Sequence, residues 1–465
     1  MSKKSKTLIV TLGTLALLAG VYYGITAHSG NRDNALRAAP ESMHTLGNLA
    51  SSDIVKIETQ DVTLQRQGEM WELIFLNGED PPRRLELDQD MVRILAVALA
   101  TVWAERVADE SPQDISVFGL DVPASQTAVT DSHGNTVVYL VGDMTPSRTS
   151  YFVMEQGNPA VFVVDAFSVN LLRFAVDDIR NRALFPSLPF QALSRMRLES
   201  AQTLIDISPI PEPPPLHLAF TFSRFAMTSP YNLLRGVESQ AFQNLLAPLN
   251  NLRIEEFVND APLSLSPYGL DNPVRLLLEF GGADGGLSID LLIGNQTGGV
   301  RYAKLADAPG VFTVGGLEPL VSHTPLALAD RFPLLIGIGA VTGLSVSGGE
   351  SVISADIQGE GRDMILRLNG RRAEERSFRN WFQSAIGLRI DAEMPAGGFI
   401  PEAGAESITI EYHLKNPPGE RVSITLIPFN RDFYALYQEG TIEFLIARNQ
   451  VHRIFQTAVM VVFLE

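Results

Sequence analysis

The sequence predicts an α+β fold: three related units of mostly antiparallel sheet, each with one main helix, behind a single N-terminal transmembrane helix. Three observations predict it. A lysine-flanked apolar run opens the chain, a Gly-Leu-Asp-x-Pro element is written twice, and one order of strands, helix and strand group recurs three times.

Lys3, Lys4 and Lys6 precede LIVTLGTLALLAGVYYGITA, an uncharged stretch from Leu8 to Ala27. About twenty residues at a 1.5 Å rise give roughly 30 Å, the thickness of a bilayer's hydrocarbon core. Tyr22 and Tyr23 near its outer end suit the interfacial belt, and the lysines hold the N-terminus inside. A cytoplasmic tail is therefore expected at 1–7, a membrane helix at 8–27 and a polar tether at 28–52, with all that follows outside the cytoplasm. A cleaved signal peptide is the rival reading, with Ala27 or Ala39 near the cut. The run is long for a signal core, and no clean small-x-small site follows it. A buried helix of a soluble protein fits poorly, because the run has no polar face.

Self-similarity at long period organises the rest. Gly119-Leu120-Asp121-x-Pro123 recurs as Gly269-Leu270-Asp271-x-Pro273. Each copy leads into an extended segment, a Gly-bearing turn, a second extended segment reaching Gly142-Asp143 or Gly294-Asn295, and a third with aromatic residues, Tyr151-Phe152 or Tyr302. Asp177-Asp178-Ile179-Arg180 and Asp330-Arg331 close the two copies. A degenerate third copy, from SITIEYHL to TIEFLIA, lacks the Gly-Leu-Asp-x-Pro element and carries Pro428 where the others have Gly142 and Gly294.

Helical periodicity precedes each strand group. The first stretch runs from about Gln89 to Ala108, with Val92, Leu95, Leu99 and Val102 or Trp103 on one face and Asp88 or Asp90 to cap it. The second runs from about Glu238 to Val258 and meets Pro248, which kinks it or delays its start. The third covers about Phe378 to Ala392. Short strands are expected before each helix: DIVKIET and MWELIFL, SRMRLES and LHLAFTF, AVTGLSVS and DMILRLN. The units fall at about 53–190, 191–335 and 336–465, with Pro209 to Pro215 as a rigid surface excursion.

These motifs resemble the bacterial domain of unknown function numbered 4340, strongly in the first two units and weakly in the third. The resemblance implies a membrane-tethered extracytoplasmic protein, often encoded beside ABC transport components of the gliding-motility type. It supplies no catalytic residues. The Gly-Leu-Asp-x-Pro element itself reads first as a turn before a strand, its Asp bonding neighbouring backbone amides.

Composition narrows the chemistry. With 53 acidic against 36 basic residues the net charge is −17, a field that repels nucleic acid. There are no cysteines, hence no disulfide, thiolate ligand or cysteine nucleophile. His28, His44, His133, His217, His323, His413 and His452 show no metal-ligand spacing. GLSVSGG from Gly343 fails the nucleophile-elbow spacing. Gly337 to Gly343 has one residue too many for a dinucleotide loop and reads as a hinge between units. Gly281 to Gly286 lacks the Gly-Lys-[Ser/Thr] ending of a phosphate cradle and reads as a hairpin turn. Glu255-Glu256, Asp177-Asp178 and Glu374-Glu375 each lie beside an arginine, as solvated faces do. Trp71, Trp103 and Trp381 read as core residues.

No catalytic, cofactor-binding or metal-binding residue is assigned on these grounds, and no enzyme activity or cofactor is expected. The expected role is an accessory or scaffold of an ABC-type transport assembly, with the membrane and transporter subunits as partners. A cell-envelope module that grips polysaccharide or peptide is the alternative, and a surface hydrolase built across units the second.

Overall fold

The computed structural model describes residues 44–465 apart from 80–84, 186, 283–285, 350, 403 and 405, and the side chain of Arg362. The expected tail, membrane helix and tether residues 28–43 lie outside the described residues. Among the described residues no helix is long and apolar enough to cross a membrane. The chain forms two compact units, 1–181 and 182–465.

In the first unit the strands are β1 (His44–Leu46), β2 (Ile54–Glu58), β3 (Val62–Gln67) and β4 (Met70–Leu76). After helix α1 (Gln89–Ala100) come β5 (Val102–Ala104), β6 (Arg106–Asp109), β7 (Ser125–Asp131), β8 (Thr136–Met144), β9 (Ser150–Glu155), β10 (Val161–Asp165) and helix α2 (Ala166–Leu172). The main sheet has the order β4-β3-β2-β7-β8-β9-β10-β6, antiparallel throughout. Helix α1 carries the chain from beyond β4 at one edge to β6 at the other.

The second unit writes this plan twice. Its first sheet comprises β11 (Leu193–Glu199), β12 (Leu204–Pro209), β13 (Phe225–Ser229) and β14 (Arg235–Gly236), then helix α3 (Ser239–Leu246) and β15 (Ile254–Asn259). It continues through β16 (Val274–Phe280), β17 (Leu287–Thr297), β18 (Val300–Leu305) and β19 (Val311–Val314) to helices α4 (Glu318–Ser322) and α5 (Pro325–Leu328). The next sheet comprises β20 (Val341–Gly348), β21 (Ser351–Gln358), β22 (Ile365–Leu368) and β23 (Arg371–Arg372), then α6 (Glu375–Ile386) and β24 (Ala392–Glu393). It ends with β25 (Ile408–Leu414), β26 (Arg421–Pro428), β27 (Phe433–Gln438), β28 (Thr441–Ala447) and α7 (Arg448–Val459). The orders, β14-β13-β12-β11-β16-β17-β18-β19-β15 and β23-β22-β21-β20-β25-β26-β27-β28-β24, match each other position for position and match the eight-stranded first sheet apart from the added edge strands β14 and β23.

Strict alternation makes these strands. In β25 every second residue from Ile408 to Leu414 is buried, and β7 and β16 follow the same period. One apolar core runs beneath both sheets of the second unit, and the first unit has its own around Ile57, Leu95 and Tyr139.

The three main helices begin alike. Asp88, Glu238 and Glu374 are their N-caps, and each side chain accepts a backbone N–H of the first turn. In each case the cap's own N–H donates to the segment that closes its repeat: Asp88 to Ile179 at 2.8 Å, Glu238 to Leu328 at 2.8 Å, and Glu374 to Val462 at 2.7 Å. Single bridges reinforce this clamp, Leu87 to Arg180, Val237 to Ala329 and Ala373 to Phe463.

Several expectations need correction. Residues 44–52 are not tether. β1 pairs with β5, Leu46 is buried, and the Tyr139 hydroxyl donates to the Leu46 and Leu99 carbonyls. Helix α1 stops at Ala100, because Thr101 is already extended and Val102–Ala104 pair as a strand. Pro248 does not kink the second helix but turns it into a 3₁₀ segment, Ala247–Asn251, and the residues expected to finish it are β15. LHLAFTF is not a strand. Leu216–Leu218 make a 3₁₀ turn after the prolines, and the true partner of β12 is β13. Each repeat also ends in helix after its aromatic strand, α2, α4 and α7, where only one main helix was expected.

Candidate functional site

The feature repeated with most detail is the Gly-Leu-Asp-x-Pro loop. In the first copy the Asp114 side chain accepts the Ser116 N–H and starts a 3₁₀ turn, Ile115–Phe118. Hydrogen bonds from Ser116 hold the Asp114 carboxyl below its ordinary range. Gly119 ends the turn at φ 68°, a left-handed conformation that favours glycine. Leu120 then drops into the interior, 2% exposed, and Leu270 does so in the second copy.

The loop lies on a bulge of the neighbouring strand. The β8–β9 pairing shifts register between Val141 and Met144, and β17–β18 between Ile293 and Gln296. The extra residues are Gly142-Asp143 and Gly294-Asn295. A Cβ on Gly119 would stand 2.5 Å from the Asp143 carboxyl carbon, and one on Gly269 would stand 2.4 Å from the Asn295 amide carbon. Aromatic pairs brace the same contact: Phe118 against Phe152 with centroids 4.9 Å apart, and Tyr268 against Tyr302 at 5.2 Å. In the third repeat Ile427 and Pro428 pair regularly with Ala435 and Tyr434, without a bulge.

The aspartate of the element departs from expectation. Asp121 and Asp271 are exposed, and neither accepts a hydrogen bond from a described residue. Val122 follows Asp121 and is 80% exposed, and Asn272 takes that place after Asp271. The turn is instead fixed by glycine and by the buried leucine, which leaves each carboxylate free for a partner.

Within the second unit a polar seam joins its two sheets. The Glu443 carboxylate accepts the N–H groups of Asn232 at 2.6 Å and Leu233 at 3.2 Å. The Tyr231 hydroxyl donates to Glu393 at 2.5 Å, and burial with this bond pushes its phenol far up. Arg235, buried between them, donates to Gln438 at 3.2 Å and lies over the Phe444 ring at 4.8 Å, and burial pulls its pKa down. The ring nitrogens of buried His217 face the Glu439 carboxylate at 3.0 Å and the Leu234 carbonyl at 2.9 Å. Among the buried side-chain polar atoms of these described residues, Arg235 Nε alone lacks a hydrogen-bond partner, so the seam reads as structural.

The remaining candidates disperse. His133 is exposed in the Asp131–Asn135 turn, His44 is exposed on β1, His413 meets Glu411, His323 bonds its own helix through Pro319, and His452 is exposed on α7. His28 lies outside the described residues. No group of three His, Asp or Glu among the described residues could hold a metal. Asp177 pairs with Arg180 at 3.0 Å, and Glu374 is a helix cap. Gly337 to Gly343 leads through a 3₁₀ turn into β20, whose neighbours are both antiparallel, so no βαβ unit surrounds it. Residues 283–285, the tip of the Gly281 to Gly286 segment, lie outside the described residues, between the antiparallel strands β16 and β17.

Trp71 and Trp381 are buried at 4% and 0%, but Trp103 is 51% exposed on β5. With Phe167, Ile94 and Val97 it lines a groove of about 240 Å³ between α1 and α2.

The family model described as Domain of unknown function (DUF4340) matches residues 80–273 and again residues 226–383, together more than half of the chain. No curated protein and no solved structure matches. The chain belongs to the DUF4340 family.

Proposed function

We propose that this member of the DUF4340 family is a non-enzymatic, membrane-anchored accessory or scaffold protein that works outside the cytoplasm in an ABC-type transport assembly. The supporting observation is the twice-presented loop. Two copies of one rigid turn offer an exposed carboxylate, Asp121 or Asp271. A ligand-binding turn held stiff by its own backbone loses little entropy on binding, which suits recognition of a protein surface. The lysine-flanked apolar run at Leu8 to Ala27 supports the anchor, with the N-terminus inside.

Crosslinking in native membranes followed by mass spectrometry tests the reading. Recovery of permease or ATPase subunits, lost in an Asp121→Ala/Asp271→Ala variant, is the expected result. Recovery of no transporter subunit overturns it, and retention on isolated cell-wall material would then favour a polysaccharide- or peptide-binding module.

A further inference from the structure

Helix α1 exposes apolar side chains beyond its core face. Val92, Leu95, Ala96, Leu99 and Ala100 pack into the core, while Met91 and Val97 are exposed and Ile94 and Ala98 half-buried in a second stripe. Exposed apolar side chains that cluster mark an interaction surface. The equivalent helices of the other repeats follow the ordinary rule. The outer face of α3 carries Gln240, Gln243 and Asn244, and that of α6 carries Arg376, Asn380 and Gln383. The three repeats share a topology, so the fold itself does not require an apolar outer stripe. In the third repeat the closing helix α7 is twelve residues long and bonds α6 through Thr457 and Ser384. In the first, α2 has seven residues, which leaves the groove beside α1 open.

The place of this patch in the chain identifies its occupant. Thr45 pairs directly with Trp103, so the first described strand lies against the strand that carries the exposed tryptophan. Residues 28–43, roughly 16 residues, separate the end of the apolar run from that point and reach at most about 55 Å when fully extended. The charges on α1 are Asp90 and Arg93, which pair with each other. Val97 lies among Arg66, Glu69 and Arg93, while Trp103 and Phe167 in the neighbouring groove are the residue types of a headgroup-level contact.

We propose that the outer stripe of α1, with Trp103 and Phe167, rests on the lipid bilayer in which the chain's own apolar run is anchored, so that the first unit sits flat on the membrane. This rests on the anchor proposed above and adds the surface that the first unit presents to lipid. The contact is apolar, so it is insensitive to salt and needs no anionic lipid.

Trp103 makes the test direct, because it is the exposed member of the chain's three tryptophans. The full chain is reconstituted in phosphatidylcholine vesicles with a fraction of the lipid carrying a nitroxide quencher at a shallow acyl position. The expected result is loss of the Trp103 share of the emission, unchanged by high salt and absent in Trp103→Phe. Val97→Asp should abolish the quenching while the protein stays in the vesicle fraction after an alkaline carbonate wash. Full Trp103 emission from protein that resists the wash overturns the proposal and leaves the anchor standing. Release by the wash overturns the anchor reading itself. Emission that shifts with protein density but not with quencher assigns the patch to a second copy, and also overturns the proposal.

Discussion

Gly142 lies so close to Phe118 that a Cβ there would stand 2.2 Å from the Phe118 carbonyl oxygen, and Gly294 stands in the same relation to Tyr268. Neither glycine has a positive φ, so the requirement is one of space. Gly142→Ala or Gly294→Ala must push the loop away from its bulge, at a cost of about 1–3 kcal/mol by the usual measure of overpacking. Urea midpoints check this. The double variant Gly119→Ala/Gly142→Ala should cost less than the sum of its singles, because one displaced loop relieves both clashes.

The helix caps make a second prediction. Asp88→Ala, Glu238→Ala and Glu374→Ala should each lower the urea midpoint, because each leaves first-turn amides without their side-chain acceptor. Backbone N–H groups of Ser377 and Arg376 hold the Glu374 carboxyl below its ordinary value. A depressed native pKa gives stability that is present above the unfolded value and lost as pH falls through the native one. Acid titration of unfolding should therefore show a flatter acid limb in Glu374→Ala than in the parent.

Three tyrosines predict the alkaline limb. Burial raises the Tyr139, Tyr231 and Tyr412 phenols, aided at Tyr139 by the Glu155 charge and at Tyr231 by the bond to Glu393. The unfolded chain releases these protons near pH 10 while the native chain keeps them, so stability falls as pH rises past about 10. Phenolate absorbance should show these three ionising only together with unfolding. Their independent titration in folded protein would contradict the burial described here.

Glu443 tests the seam. Glu443→Ala leaves the Asn232 and Leu233 amides without their acceptor. The expected cost is about 1–3 kcal/mol for each amide that water does not reach. Calorimetry of the full chain should show the transition of the second unit lowered or split, with that of the first unit unmoved.

What could be read from the sequence was what repeats or alternates. Gly-Leu-Asp-x-Pro marked the first two repeats because glycine and a buried leucine are both demanded at the same bulge, and Pro428 marked its loss because a regular strand pair replaces the bulge. Asp88 was readable as a cap because short acids compete for first-turn amides. Trp103 was misread because helical spacing continued past Ala100 in the letters while β1, distant in sequence, claimed the backbone as a strand. LHLAFTF alternates like a strand but follows prolines, and β13 occupies the place beside β12. The aspartate's freedom was not readable, since the same residue in a turn ordinarily bonds its own backbone.

The clamp on each helix cap sets an order in time. Glu238 waits for Leu328, and Glu374 waits for Val462, almost the last residue of the chain. During synthesis the first repeat can close once residue 180 has emerged, but the third stays open until Val462 and Phe463 have emerged. Loss of the Val462–Phe463 segment would thus leave all nine strands of the third sheet in place with its helix unlatched.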